Sequence, residues 1–427
     1  HEAEAWAKAT QSGSAAGEPA TGNIANTPAQ GLYHQALEAA QPAGEVIEPR
    51  QLLAAYERLG SAYNFLDRHQ EAEITFSRMR DTAHGMNDLE GEVRALAHLA
   101  HTRGWLYQLD VAEQTALEAL QKGEQLDDPR LLVRIHESLI RLHIYHGQME
   151  KIAFHSNKIQ HYAHDLDDPA ALSAAIRWQA YTAIWSGKYA QAEVLARQSL
   201  AHGQEAGLPL HISGGYQILS YSQIEAGKYR EAYHNIRSII DIEEVATPYH
   251  HQLARMRNQM GYLYLELGDA AKALLWDRRA VEASHSAPES SSKFETQRYS
   301  LLNLATDYLH LHKIDEALDA IMQFEAIKEV SFAVRFRYYN RYLLLMAELR
   351  LAQRDFAKAI KFAREARDFA TQYKNQKNIA RSYWLEGRAQ LQMGKPREAL
   401  GHLEDAVQIA DAIGHGSLRW NFRLDLA

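Results

Sequence analysis

One ruler runs through this chain. Pro129, Pro169, Pro209, Pro248 and Pro288 recur at an almost constant step of about 40 positions, a length typical of repeat architectures. They are half of the chain's ten prolines. The same offset relates GKYAQAE (187–193) to GKYREAY (227–233), and LDDPRLL (126–132) to LDDPAAL (166–172). A fixed period of this length marks an array of supersecondary units, each burying its apolar face only when stacked on its neighbours.

Sliding the ruler along the chain marks nine units. A landmark position, alanine in eight of nine units, recurs at Ala72, Ala112, Ile152, Ala192, Ala232, Ala273, Ala317, Ala359 and Ala399. Twelve positions earlier stand Gly60, Ala100, Ile140, Ala180, Ser220, Gly261, Ala305, Ala347 and Gly387. Two small residues at this spacing suit antiparallel helices whose backbones cross closely, since a larger side chain would force apart axes about 8–10 Å from each other. Between them lie SGKY, AGKY, LGDA and MGKP, where glycine supplies the positive φ that ends a helix. Asp128-Pro129 and Asp168-Pro169 read as an N-cap followed by a first-turn proline. Apolar residues recur at helical spacing, as in Leu131, Ile135, Leu139 and Leu142, and no segment alternates with period two. Each unit is therefore helix, tight turn, helix, loop, and the predicted fold is all-α: a right-handed superhelical solenoid of antiparallel helix hairpins. The domain reading is a degenerate N-terminal repeat or linker at 1–49, nine hairpins at 50–416, and a cap or start of a further helix at 417–427.

The landmarks resemble the tetratricopeptide repeat (TPR). Leu59-Gly60-x-x-Tyr63 with Ala72 and Phe76 carries the likeness, as do Gly261, Tyr264 and Ala273, and Ala305, Tyr308 and Ala317. Asp277 stands where the family has an aromatic residue, and the period of about 40 to 44 exceeds the usual ~34. The likeness covers roughly residues 50–415. Upstream, Trp6-Ala7-Lys8-Ala9 followed by Ala16-Gly17-Glu18 resembles the arm that joins an NTPase core to helical repeats in bacterial STAND signal-transduction NTPases, maltose-regulon-activator-like members among them. Ala29 and Tyr33 stand roughly where one more hairpin would place its second helix. The resemblance implies a cytoplasmic sensor region, part of a longer polypeptide with an upstream NTPase. The first residue being His1 rather than Met agrees with that expectation.

Chemistry-bearing motifs are sparse. Gly187-Lys188 and Gly227-Lys228 are each followed by tyrosine, and they lack the upstream glycine of a phosphate loop. No GxSxG elbow, HExxH helix or EF-hand loop occurs, and with no cysteine there is no thiolate site. The pairs His98/His101, His143/His146 and His161/His164 share helix faces. They lack the further ligands zinc needs, so no metal and no cofactor is expected. Asp165, Asp167 and Asp168 read as helix-start residues. A net charge of −8 argues against nucleic-acid binding by the chain as a whole, and no apolar run approaches the ~20 residues that cross a bilayer. VRFRYYNRY (334–342) resolves into a buried stripe of Phe336, Tyr339 and Leu343, with Arg335, Arg337 and Arg341 as its polar remainder. Leu418, Trp420 and Phe422 are expected to cover the last repeat.

The candidate site is the inner face of the first helices. Fixed offsets from the landmarks point inward Arg94, His98, His101 and Trp105; Arg134, Glu137, Arg141 and Tyr145; and Arg177, Trp178, Tyr181 and Trp185. The next two units add Gln217 and Tyr221, then Arg255, Asn258, Gln259 and Tyr262. Arginine, tryptophan and tyrosine combine large contact area with polar handles, the profile of binding hot spots. For each aromatic the alternative is packing between neighbouring helices, and for each arginine a salt bridge within the groove. The function expected is non-enzymatic: a sensor or scaffold that captures a protein or peptide and regulates an upstream signalling NTPase. Its alternatives are a small-molecule, sugar-like sensor and a self-assembly module.

Overall fold

The computed structural model describes residues 49–65, 68–246, 250–286, 291–327 and 334–427. The N-terminal repeat or linker, with Ala29 and Tyr33, lies outside them, as do Pro248 and Pro288. Among the described residues there are helices and no strands. Nine antiparallel pairs follow one another: α1 (Pro49–Phe65) and α2 (His69–Gly85), α3 (Leu89–Trp105) and α4 (Leu109–Gly123), α5 (Pro129–His146) and α6 (Met149–Asp165), α7 (Pro169–Trp185) and α8 (Tyr189–Glu205), α9 (Pro209–Glu225) and α10 (Tyr229–Ala246), α11 (His250–Glu266) and α12 (Ala270–Ser286), α13 (Ser291–His310) and α14 (Ile314–Ile327), α15 (Arg335–Ala352) and α16 (Phe356–Gln372), and α17 (Gln376–Gln392) and α18 (Pro396–Ile413). A last helix, α19, spans Leu418–Leu426. The chain divides into two compact units: residues through 142 with 158–168, and residues 143–157 with 169–427. No helix among the described residues is long and apolar enough to cross a membrane.

All nine landmark residues are buried, from Ala72 to Ala399. The close approach they permit is offset by one turn from the simplest geometry. A β-carbon on Gly60 would come within 2.5 Å of the Phe76 ring, and one on Gly387 within 2.7 Å of Leu403. The small residue of the first helix thus faces the residue four beyond the landmark alanine. Gly187, Gly227, Gly268 and Gly394 turn the chain at φ of 75°, 78°, 80° and 73°. Such conformations cost L residues energy that glycine does not incur. Pro129, Pro169, Pro209 and Pro396 each open a helix, where their missing N–H is no loss. Asp128 caps α5, its Oδ1 accepting from Arg130 N at 2.9 Å, which satisfies a donor the helix itself leaves open.

Separate apolar clusters span neighbouring hairpins. In the first unit Leu53, Leu59, Phe76 and Met79 form one cluster, and Leu96, Ile135, Leu139 and Leu142 belong to another. In the second, Ile224, Ile236, Met256 and Leu263 pack together, as do Ala380, Ala406, Leu418 and Phe422. Trp420 departs from its expected covering role and is 73% exposed. At about 100° per residue, Leu418 and Phe422 share a helix face and Trp420 points the opposite way. In α15 the buried stripe is wider than three residues, taking in Phe336, Tyr338, Asn340, Tyr342 and Leu343, while Tyr339 is half-buried.

Candidate functional site

In the first unit, α3 and α5 present Arg94, His98, His101 and Trp105 opposite Arg134, Glu137 and Arg141. At its centre is a residue the sequence reading misses, Glu57 of α1. Its Oε1 lies 3.0 Å from His98 Nε2 and accepts from Arg134 Nη1 at 2.9 Å, while Arg94 Nη1 is 3.6 Å from Oε2. Burial opposes its ionisation, but the His98 hydrogen bond and the two arginines outweigh that and lower its pKa to about 2, as charges and donors facing a carboxylate do. Burial also lowers the pKa of His98, reinforced by Arg134 and Arg94 against the pull of Glu57. With its proton on Nε2 the ring donates to Glu57; with it on Nδ1 the same nitrogen accepts from Arg134 Nη1 at 2.8 Å.

One turn further along, Trp105 Nε1 donates to His101 Nε2 at 3.0 Å, which places the His101 proton on Nδ1. Burial, then Arg141, His98, His69 and Arg134, hold His101 well below the usual histidine range. The guanidinium of Arg141 lies over the Trp105 indole, 4.5 Å from its centroid, in the geometry of a cation–π contact. His69 stacks on the same indole at 5.5 Å. Arg141 makes no ion pair among the described residues, and its buried Nε has no hydrogen-bond partner.

In the second unit the predicted residues fall into two groups. On α7, Arg177 lies over Trp178 at 5.2 Å and crowds Gly214, Trp178 meets Tyr181 edge-on at 5.9 Å, and Tyr181 stacks on Trp185 at 6.5 Å. On α9 and α11 the predicted residues are tied to partners one hairpin away. Arg255 pairs with Glu295 at 3.0 Å, and Asn258 donates to Ser300 at 2.9 Å. Gln259 Nε2 donates to Ser220 Oγ at 2.9 Å and to the Gln217 carbonyl at 3.1 Å. Tyr221 lies 6.0 Å from Tyr262, and the Tyr262 hydroxyl donates to Glu225 at 2.9 Å. These are rungs at the repeat period, and the polar residues on them serve the stack itself. Tyr145 is buried, its carbonyl accepting from Val334 N at 3.0 Å.

The rungs continue beyond the sixth hairpin, where the sequence reading stops. Arg337 pairs with Glu295 at 2.9 Å and lies 4.9 Å from the centre of the Tyr181 ring; Arg341 donates to Asn303 at 2.5 Å. Arg341 and Arg381 stand eighteen residues before their alanine landmarks, the offset of Arg94, Arg134 and Arg255. The same ruler carried two and three hairpins further finds them. Glu225 carries no such signal. Its Oε1 accepts from Lys377 at 2.6 Å, its Oε2 lies 3.1 Å from His415 Nε2, and these charges override burial to hold it far below the ordinary carboxylate range. Beside the turn after α7 opens a cleft of about 520 Å³ lined by Ser186, Lys188, Gln376, Tyr383, Asp405 and Ile409, among others.

Of the other histidines, His143 and His155 stack at 5.2 Å, and His161 and His164 lie at the surface beside Asp165. No group of three or more metal-ligating side chains comes together among the described residues.

Stacked hairpins with alanine seams and a polar, aromatic inner face define a TPR-type helical repeat domain. Residues 338–412 match the tetratricopeptide repeat family. Among solved structures the chain is similar to a Rap protein complexed with Competence and Sporulation Factor, at 12% identity and TM-score 0.66, with 86% of this chain and 98% of that one covered. It is similar to the apo form of RapI at 13% identity and TM-score 0.54, covering 86% and 99%. IFIT1 with m7Gppp-AAAA gives 13% and 0.50, covering 90% and 87%. At these identities the likeness is one of fold. No curated protein sequence matches the chain.

Proposed function

We propose that this chain is a non-enzymatic sensor or scaffold module that captures a protein or an extended peptide on the inner face of its first helices. An acidic or C-terminal carboxylate group of the ligand is held in the first unit. The observation that carries this reading is Arg141, seated on Trp105 with no ion-pair partner among the described residues, one helix face along from Arg134. A guanidinium fixed by stacking keeps its donor edge for a carboxylate and loses little freedom on binding. The Rap protein, complexed with a factor, supports the ligand class; IFIT1, solved with m7Gppp-AAAA, shows that the fold alone does not choose it. In a STAND-type polypeptide, ligand capture would shift the population of states available to the NTPase.

The test is selection from random ten-residue peptides with free or amidated C-termini. Free termini should be enriched, and Arg134→Ala with Arg141→Ala should weaken the selected peptides by about 10- to 100-fold, roughly 1.4–2.7 kcal/mol. Unchanged binding by the double variant removes the assignment. The small-molecule alternative has the aromatics of α3, α5 and α7 stacking on a sugar-like ligand. It predicts saturable binding of a metabolite with no peptide enrichment.

A further inference from the structure

Within the second unit, the last hairpins close onto the first through contacts that the repeat period does not explain. Trp185 Nε1, at the end of α7, donates 2.7 Å to the carbonyl of Tyr373, 188 residues away, and its ring meets Phe336 edge-on at 4.9 Å. A β-carbon on Gly147 would stand 2.7 Å from the Phe336 ring, and one on Gly187 would stand 2.5 Å from Ile413. Gly416 N donates to the Glu225 carbonyl at 2.8 Å, and the Gly416 backbone lies so close to Gly227 that a β-carbon there would come within 2.6 Å of its Cα. Ser417 donates to Glu266. At the centre, Glu225 gathers Lys377, Tyr262 and His415, with Lys377 also donating to the Tyr262 hydroxyl at 2.6 Å.

This seam is built unlike the rest of the unit. Among the described residues, the helix pairs whose backbones approach over an extended stretch are at most two places apart in the chain, and none joins α7–α11 to α15–α19. It consists of turns, glycine contacts, the aromatic contact of Trp185 with Phe336, Ile413 against Gly187, and one buried charge cluster. Such a cluster contributes little net stability, because opening returns all of its members to water together. Removing a single member while the seam is closed strands the others and is costly. A seam with no extended helix interface and a polar centre has the attributes of a region that opens below the global unfolding free energy.

We infer that the seam between residues 147–150 with α7–α11 on one side and α15–α19 on the other is a latch, and that the inner surface of the second unit, with Tyr181, Tyr221, Arg337 and Arg341, accepts ligand only when the latch is released. Closure sets Arg337 over Tyr181 and Lys377 on the Tyr262 hydroxyl, so a ligand using those groups competes with the closed form. Apparent affinity then falls in proportion to the open fraction. The inference rests on the reading above for what the inner surface is for, but the latch itself opens or stays shut without any ligand.

The experiment uses the full chain, which has no cysteine. Glu150→Cys and Lys374→Cys, at an exposed pair 2.5 Å apart across the seam, carry nitroxide labels for pulsed electron paramagnetic resonance. The otherwise unaltered chain should show a dominant short distance. Lys377→Gln should raise the longer-distance population about tenfold with helix content unchanged, and Lys377→Arg should restore the short distance. Joining the two cysteines with a short bismaleimide should abolish binding of peptides whose footprint includes the second unit. A short distance that persists in Lys377→Gln overturns the latch. So does loss of the seam together with helix content in one cooperative step, since the seam would then be permanent core. Failure of every peptide to bind would remove the peptide reading, while the distance measurement still decides the latch.

Discussion

Gly261 of α11 lies directly against Asp277 of α12: a β-carbon on the glycine would fall 2.2 Å from Oδ2 and 2.5 Å from Cγ. In the first hairpin the same contact joins Gly60 to the Phe76 ring, so a carboxylate here occupies the place of an aromatic. Asp277 is 1% exposed and accepts from Asn303 Nδ2 at 2.9 Å.

Gly261→Ala should therefore destabilise the protein by about 1–3 kcal/mol, the usual range for forcing a methyl into a packed site. Asp277→Ala in the same chain should recover most of that loss, a coupling that a double-mutant cycle in urea measures. Gly401→Ala provides the contrast. It sits inside α18 with nothing within 4 Å of an added β-carbon. The change should stabilise by about 0.5–1 kcal/mol. Independent effects of Gly261 and Asp277 would refute the contact.

Asp307 faces Asp277, and no N–H or hydroxyl reaches either of its buried oxygens. Burial and the neighbouring carboxylate push the pair's proton affinity above the ordinary carboxylate range, so the pair keeps a proton that the unfolded chain releases near pH 4. The folded state then binds more protons than the unfolded one, and this contribution to stability shrinks as pH rises from about 4 through neutrality. Asp307→Asn supplies a permanent N–H donor to Asp277. Its melting temperature relative to wild type should climb between pH 5 and pH 8, and a constant difference would show that the pair holds no extra proton.

The first unit should respond with the opposite sign. Glu57, His98 and His101 all have folded pKa values below their ordinary ones of 4.5 and 6.5, so each binds fewer protons folded than unfolded. Stability present above pH 6.5 is lost as pH falls, first through the histidines and then through Glu57 between about 4.5 and 2. Amides of α1, α3 and α5 should exchange through opening more readily at pH 5.5 than at 7.5, after correction for intrinsic rates. His101→Gln should flatten that difference; an unchanged pH response in the variant counts against it.

At the end of the chain, Phe422 is fully buried and lies 5.2 Å from the Trp384 ring, whereas Trp420 is exposed. Phe422→Ala should cost about 3–5 kcal/mol, or release α19 alone if that helix opens independently. Trp420→Ala should stay within about 0.5 kcal/mol. Hydrogen exchange across α18 and α19 separates global from local loss, and a large effect of Trp420→Ala would contradict its placement.

The hairpins are legible in the sequence because their seam is written in one-dimensional terms: a small residue, twelve positions, another small residue. The spacing also groups the polar and aromatic residues of α3, α5 and α7, and they meet one another in the structure. What spacing cannot supply is the partner. Arg255, Asn258 and Tyr262 are answered by Glu295, Ser300 and Glu225 on adjacent hairpins. Lys377 reaches Glu225 across 152 positions of chain, and His415 from further still, a distance set by how the second unit closes on itself. Trp420 escapes the sequence reading because alternation by two does not describe a helix.

The alanine seams are nearly interchangeable, and nothing in them would stop one hairpin from settling where another belongs. The rungs are different at each step: Glu57 to His98, Gln259 to Ser220, Asn258 to Ser300, Arg337 to Glu295. Each acts as an address that only one neighbour can read. A hairpin shifted by one place would keep its apolar fit and lose its polar match, leaving buried donors and carboxylates unanswered. The order of the stack is thus encoded by residues that add little to its strength.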